Sequence, residues 1–261
     1  MSDRRATISY HPWVRMRTVG GNPPVRGAMA VVGFPGAGLS GCVASQFLIN
    51  SLGMKELGHL DGPFLGPVVE MVDGEVLPCF RAFYSQVACG PLRRCDQLVV
   101  VTSRMSPSRE IVQDLADGLL GWMVSVGIHA VIVLETIARD KEAAGSELFG
   151  ATNRPGKGLL SDLGVRPASG FADGFTGALL HASLSSDIPM GVLVAEASPD
   201  QPDAIAASLL VEGLSALIPS LTVDPGPLRA MAAVMEESVR RARSRQARAR
   251  ETDGNPSGMF R

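Results

Sequence analysis

The chain predicts an α/β fold, with a mostly parallel central sheet flanked by helices and a helix projecting from its C-terminal end. Three observations carry this reading. Apolar runs with no polar alternation, at Ala28 to Val32, Leu98 to Val101, Ala130 to Leu134 and Met190 to Ala195, read as strands buried on both faces. Segments with helical spacing alternate with those runs, which is the pattern of crossover connections in a parallel sheet. Twenty-nine glycines in 261 residues call for many tight turns between the elements.

In chain order, residues 1–27 are polar and punctuated by Pro and Gly, with an edge strand near Tyr10 to Arg17. After the strand ending at Val32, Leu39 to Leu52 reads as a helix stopped by Gly53, and Lys55 to Leu60 as a strand. Val68 to Val72 and Val76 to Tyr84 flank Asp73-Gly74, a two-residue hairpin signal. Pro107 opens a helix whose apolar positions Ile111, Leu115, Leu119, Trp122 and Val126 recur at helical spacing, and Gly127 ends it. Residues 136–173 are polar, with several glycines and few periodic cues, and read as loop. Thr176 to Leu184 and Asp203 to Ile218 read as helices on either side of the Met190 strand.

The C-terminal part is different in kind. The organisation expected is one α/β domain over residues 1–225, a helix over 226–251 and a flexible tail over 252–261. From Leu228 to Arg250 there is no Gly or Pro, and Leu228, Met231, Met235, Val239 and Ala242 form a narrow apolar stripe at near-heptad spacing. Arg240, Arg241, Arg243, Arg245, Arg248 and Arg250 give the remaining surface a basic character, read as a solvated helix face. The stretch 252–258 has linker composition and ends in Met259-Phe260-Arg261. An apolar residue, an aromatic ring and a carboxylate on a flexible arm suit insertion into a partner's pocket.

Charge and cysteine usage narrow the function classes. A net charge of -2 gives no field that recruits nucleic acid, so no nucleic-acid partner is expected. No window reaches the ~20 apolar residues of a membrane helix, and no signal peptide is read at the start, so a cytoplasmic protein is expected. Cys42, Cys79, Cys89 and Cys95 form no Cys-x-x-Cys motif, and no metal is expected. Cys89 and Cys95 bracket a Gly-Pro-Leu-Arg-Arg turn that a disulfide could close, but thiols are the favoured reading.

The densest motif is Gly33-Phe34-Pro35-Gly36-Ala37-Gly38-Leu39-Ser40-Gly41. It holds a Gly-x-Gly-x-x-Gly, so Gly36, Gly38 and Gly41 are candidate cofactor-binding positions, with Asp61 at the spacing of a ribose-binding acid. Phe34-Pro35 interrupts the fingerprint, and the alternative is that the glycines serve a sharp turn and close helix–sheet packing. Gly38-Leu39-Ser40-Gly41-Cys42 is a near miss for a nucleophile elbow, and His11, His59, His129 and His181 have no evident partners. Glu135, Glu196, Asp200 and Asp203 gather after strands, where α/β sheets bind ligands, although Asp200 suits a turn and Asp203 a helix N-terminus. No cofactor and no catalytic set is expected. The competing reading is an enzyme or sensor that holds a nucleotide or phosphorylated metabolite between the glycine loop, Glu196 and Asp200.

The loop Gly33 to Gly41 resembles the opening loop of the proteasome assembly chaperone two family, including its archaeal members. Asp73-Gly74, Gly150-Ala151-Thr152-Asn153, Gly174-Phe175-Thr176-Gly177 and Ala195-Glu196 through Pro202-Asp203 are similar to later family motifs, in the same order from about Ala28 to Leu221. The resemblance implies a non-enzymatic homo-oligomeric chaperone or activator that binds the α-subunit ring of the proteasome core. It also implies a docking role for Met259, Phe260 and Arg261, because several family members end in a hydrophobic–tyrosine–any-residue motif. Phe260 stands in the tyrosine place and lacks the phenol hydroxyl.

Overall fold

The computed structural model describes residues 14–19, 25–62, 65, 68–89, 95–139, 147–199, 201–218 and 220–232. Its elements are β1 (Arg15–Thr18), β2 (Met29–Gly33), α1 (Ser40–Ser51), β3 (Lys55–Asp61), β4 (Val69–Val72), β5 (Glu75–Pro78), β6 (Arg81–Cys89), β7 (Cys95–Thr102), α2 (Val112–Val126), β8 (Ala130–Ala138), β9 (Leu148–Thr152), β10 (Arg166–Pro167), α3 (Gly174–Ser183), β11 (Met190–Ala197) and α4 (Ala204–Leu217). Residues 226–232 begin a further helix. The thiols of Cys89 and Cys95, the rest of the 226–251 helix and the tail with Met259, Phe260 and Arg261 lie outside the described residues.

Nine strands form one sheet in the order β1-β3-β6-β7-β2-β8-β11-β9-β10. The four central strands, β7, β2, β8 and β11, are mutually parallel. Antiparallel pairings flank them, β6 with β7 on one side and β9 with β11 on the other. The parallel centre follows directly from the apolar runs, since only strands covered on both faces can be apolar at every position. Val31 and Val100 face one helical layer, with Leu48 of α1 and Leu210 of α4. Their neighbours Val32 and Val101 face the other, with Leu119 of α2 and Leu179 of α3. This period-two division of fully buried strands makes two cores on one sheet.

The structure departs from the sequence reading in three places. Residues 136–173 are not simply loop: they carry the end of β8 as well as β9 and β10. The stretch 76–84 is two strands, broken where Phe80 turns into the core. α2 begins at Val112 rather than at Pro107, after a turn in which the Ile111 N–H donates to the Ser108 carbonyl. Gly127 ends that helix as expected, in the left-handed conformation at φ 78°.

Candidate functional site

The loop after β2 crosses the C-terminal ends of the parallel strands, and the motifs singled out in the sequence meet there. Gly33 closes β2, its carbonyl accepting from Thr102 Oγ1 at 2.8 Å. Phe34 then turns into the α2/α3 core. Its ring stacks at 4.0 Å on Phe175 of α3 and at 5.9 Å on Phe80, and all three rings are buried. The first strand-end loop is thereby fastened to the opening of α3 and to the residue that separates β5 from β6.

The three fingerprint glycines each have a neighbour where a side chain would be. A Cβ at Gly36 would lie 2.5 Å from Glu135 Oε1 and 2.7 Å from Thr136 Oγ1. At Gly38, which sits at φ +61°, it would meet the Ser198 carbonyl at 2.8 Å and Asp203 Cβ at 2.9 Å. At Gly41 it would lie 2.8 Å from the carbonyls of Phe34 and Leu134. Backbone carbonyls therefore require glycine at Gly38 and Gly41, while at Gly36 an added side chain would have to displace the Glu135 carboxyl and the Thr136 hydroxyl. A pyrophosphate in the dinucleotide position would face the Glu135 carboxyl across Gly36, where a phosphate site needs donors. Asp61 is not brought to this loop. It ends β3, three strands away from β2, and is paired with Arg17.

Two acids organise the loop from opposite sides. Glu135, near the end of β8, is half-buried; its carboxyl accepts from the Thr136 N–H at 2.7 Å and bonds to the Thr176 side chain in α3. Burial pushes its pKa above the ordinary glutamate value and nearby Asp173 adds to this, while the hydrogen bonds from Thr176 and Thr136 oppose it. Asp203 serves as the N-cap of α4, with Oδ1 accepting from the N–H groups of Ile205 and Ala206 at 3.0 Å. Its Oδ2 accepts from the Ser198 N–H at 2.9 Å and lies 3.8 Å from Arg139 Nη2. The Thr136 hydroxyl completes the frame by donating to the Ala37 carbonyl at 2.6 Å.

Among the described residues no hydrolytic machinery assembles from the elbow-like segment, and His11 lies outside them. Ser40 is fully buried and its hydroxyl donates to the Asp203 carbonyl at 2.8 Å. The Cys42 thiol donates to the Leu39 carbonyl at 2.9 Å, and burial pushes its pKa up, away from an activated thiolate. His129 places Nδ1 3.3 Å from the Ala28 carbonyl, His59 lies on β3 and His181 on α3, while Ser40 opens α1. Among the described residues, no three His, Cys, Asp or Glu side chains gather as a metal site. Glu196 shares the α2/α3 face of the sheet by its register against Ile137, and Asp200 lies outside the described residues.

Asn153, in the Gly-Ala-Thr-Asn segment, has a structural role that sequence reasoning did not supply. Its Oδ1 accepts from the N–H groups of Gly156 at 2.9 Å and Met190 at 3.0 Å, and its Nδ2 donates to the Ile188 carbonyl at 3.0 Å. One buried amide thus ties the loop after β9 to the start of β11. Its signal was an isolated Asn after an apolar run, flanked by turn residues.

The fold and these interlocked strand-end loops define a three-layer α/β protein. The chain belongs to the PAC2 family, whose model matches residues 30–243. It is similar to Pyrococcus furiosus PbaA, described as an archaeal homologue of proteasome-assembly chaperone. The two share 25% identity, with 93% of this chain and 96% of that one covered and a TM-score of 0.78. Two further likenesses show the fold alone. Pyrococcus furiosus PbaB, an archaeal proteasome activator, is 19% identical over 88% of this chain and 99% of its own, with a TM-score of 0.76. A PAC2 family protein from Streptomyces avermitilis is 20% identical over 82% and 95%, with a TM-score of 0.62. No curated protein matches. No described helix is long and apolar enough to cross a membrane.

Proposed function

We propose that this chain is a non-enzymatic proteasome assembly chaperone or core-binding activator that works as a homo-oligomer in the cytoplasm. The observation that carries the reading is whole-chain similarity: the family match runs from residue 30 to residue 243, and PbaA, named as a chaperone homologue, aligns over nearly all of both chains. The packed strand ends add to it. Gly38 and Gly41 are closely packed by backbone, and Ser40 and Cys42 are buried and engaged, which supports a structural role for this loop.

The docking element in this reading is Met259-Phe260-Arg261, carried on the linker-like stretch 252–258. The Phe260 ring would fill an apolar slot between α subunits of the core ring, and the terminal carboxylate would meet a basic group there. A binding assay with immobilised core particle, comparing the full chain with one lacking 259–261, tests this. Loss of binding on deletion is expected; equal binding by both forms would remove the docking role.

A further inference from the structure

The β4–β5 hairpin is built inside out. Its register sets Val69 opposite Pro78 and Met71 opposite Val76, so these four side chains share one face. That face is the exposed one: Met71 is 80% exposed, Val76 65% and Val69 54%. The opposite face carries Glu70, opposite Leu77. The Glu70 carboxylate is turned to the body, 2.9 Å from Arg104 Nη1 and 3.3 Å from Arg81 Nη2. Two arginines therefore fix a glutamate inward while the apolar residues face water. Asp73 at the tip is exposed as well, while Glu75, opposite Val72, falls on the Glu70 face. An apolar face of this kind with an acidic rim marks an interaction surface. A groove of about 330 Å³, lined in part by Val69, Val76, Leu65 and Phe80, lies beside it.

We propose that this face receives the arginine-rich segment 233–250 of a second copy of the chain. The segment has the matching chemistry. It carries Met235, Val239 and Ala242 in one apolar stripe, with six arginines against two glutamates around it. Charge complementarity with the exposed Asp73 at the turn then sets the orientation. As a helix at about 1.5 Å per residue, the eighteen residues 233–250 would span about 27 Å, enough to reach a neighbouring protomer.

The geometry selects a second copy over the chain's own segment. Leu228 is buried against the body, and Met231 lines a groove on α1 together with Leu39, Phe47 and Arg104. Arg104 also holds Glu70, so the chain leaves the described body on the inner side of the hairpin. The apolar face looks the other way, and a segment arriving from a neighbouring protomer meets it without wrapping round the hairpin edge. This inference rests on the homo-oligomeric part of the proposed function and is independent of proteasome binding.

The test uses full-length protein with a benzophenone amino acid in place of Met71. This protein is ¹⁵N-labelled and allowed to exchange with an equal amount of unlabelled wild-type chain before irradiation. Oligomeric state is measured first by light scattering. A monomer would overturn the oligomeric reading and this inference together. In a verified oligomer, a labelled-to-unlabelled cross-link from position 71 into peptides of 233–250 is expected. Cross-links only within one copy, only between hairpins, only elsewhere, or none at all would overturn the inference and leave the oligomer standing. As a second readout, Asp73→Asn, which removes the charge and keeps a side chain suited to the left-handed turn conformation, should weaken self-association about threefold. An unchanged dissociation constant would contradict the charge pairing.

Discussion

The backbone N–H of Asp203 donates to the carbonyl of Gly38 at 2.8 Å, joining the loop after β2 to the N-terminus of α4 across 165 residues of sequence. The Asp203 carbonyl receives the Ser40 hydroxyl in the same place, and the carboxylate caps α4 and holds the Ser198 N–H. Asp203→Ala removes the cap, worth about 1 kcal/mol, and orphans a partly buried donor at about 1–3 kcal/mol. A loss of roughly 2–4 kcal/mol in urea unfolding is expected from those two terms together. Asp203→Asn keeps an N-cap acceptor and should lose markedly less.

Gly36→Ala places a methyl group against the Glu135 carboxyl and the Thr136 hydroxyl. A destabilisation of about 1–3 kcal/mol is expected, the usual range for overpacking. Glu135→Ala opens that space, so the two changes should be non-additive, with an interaction of at least about 0.5 kcal/mol in a double-mutant cycle. Simple additivity would show that the glycine is required for some other reason.

Glu135 also gives a pH dependence with a definite sign. Burial raises its folded-state pKa above the unfolded value, so the native state binds its proton more tightly. Its contribution to stability is therefore complete below the ordinary glutamate pKa of about 4.3 and declines as pH rises from there through the raised folded value. Glu135→Gln removes this decline. The variant's stability relative to wild type, from denaturant unfolding across that window, should improve as pH rises and then level off.

Phe260→Tyr restores the hydroxyl that the tail lacks relative to the hydrophobic–tyrosine–any-residue form. One added hydrogen bond at about 0.5–1.5 kcal/mol corresponds to roughly a two- to tenfold tighter complex with the core particle. Phe260→Ala should weaken the complex instead, and titration calorimetry on both variants checks the order.

The parallel centre of the sheet was legible because Val31, Val100 and Ile132 belong to runs apolar at every position, which only a doubly covered strand tolerates. Asp203 was legible as a helix start because capping is local chemistry. β9 was not: Leu148–Thr152 is short, contains Gly150, and is held by antiparallel pairing to β11, which is distant in sequence. Glu135 read as a loop acid because β8 runs beyond its apolar part, and its partners Gly36 and Thr176 come from either side of it in sequence. The hairpin shows the limit most clearly. Asp73 at φ 49° and Gly74 at φ 86° form the turn that Asp-Gly predicts. Alternation along Val69 to Val72 does not say which face turns inward, and that was decided by Arg81 and Arg104 reaching Glu70.

In the proposed role the body belongs to a proteasome-binding chaperone or activator that docks through its C-terminal residues. The most direct measurement is the equilibrium affinity of the full chain for the proteasome core particle, beside that of the chain lacking Met259, Phe260 and Arg261. Saturable binding by the full chain is expected, weakened at least about tenfold by the deletion, a change of roughly 1.4 kcal/mol. Equal affinity of the two forms, or no binding by the full chain, would contradict it.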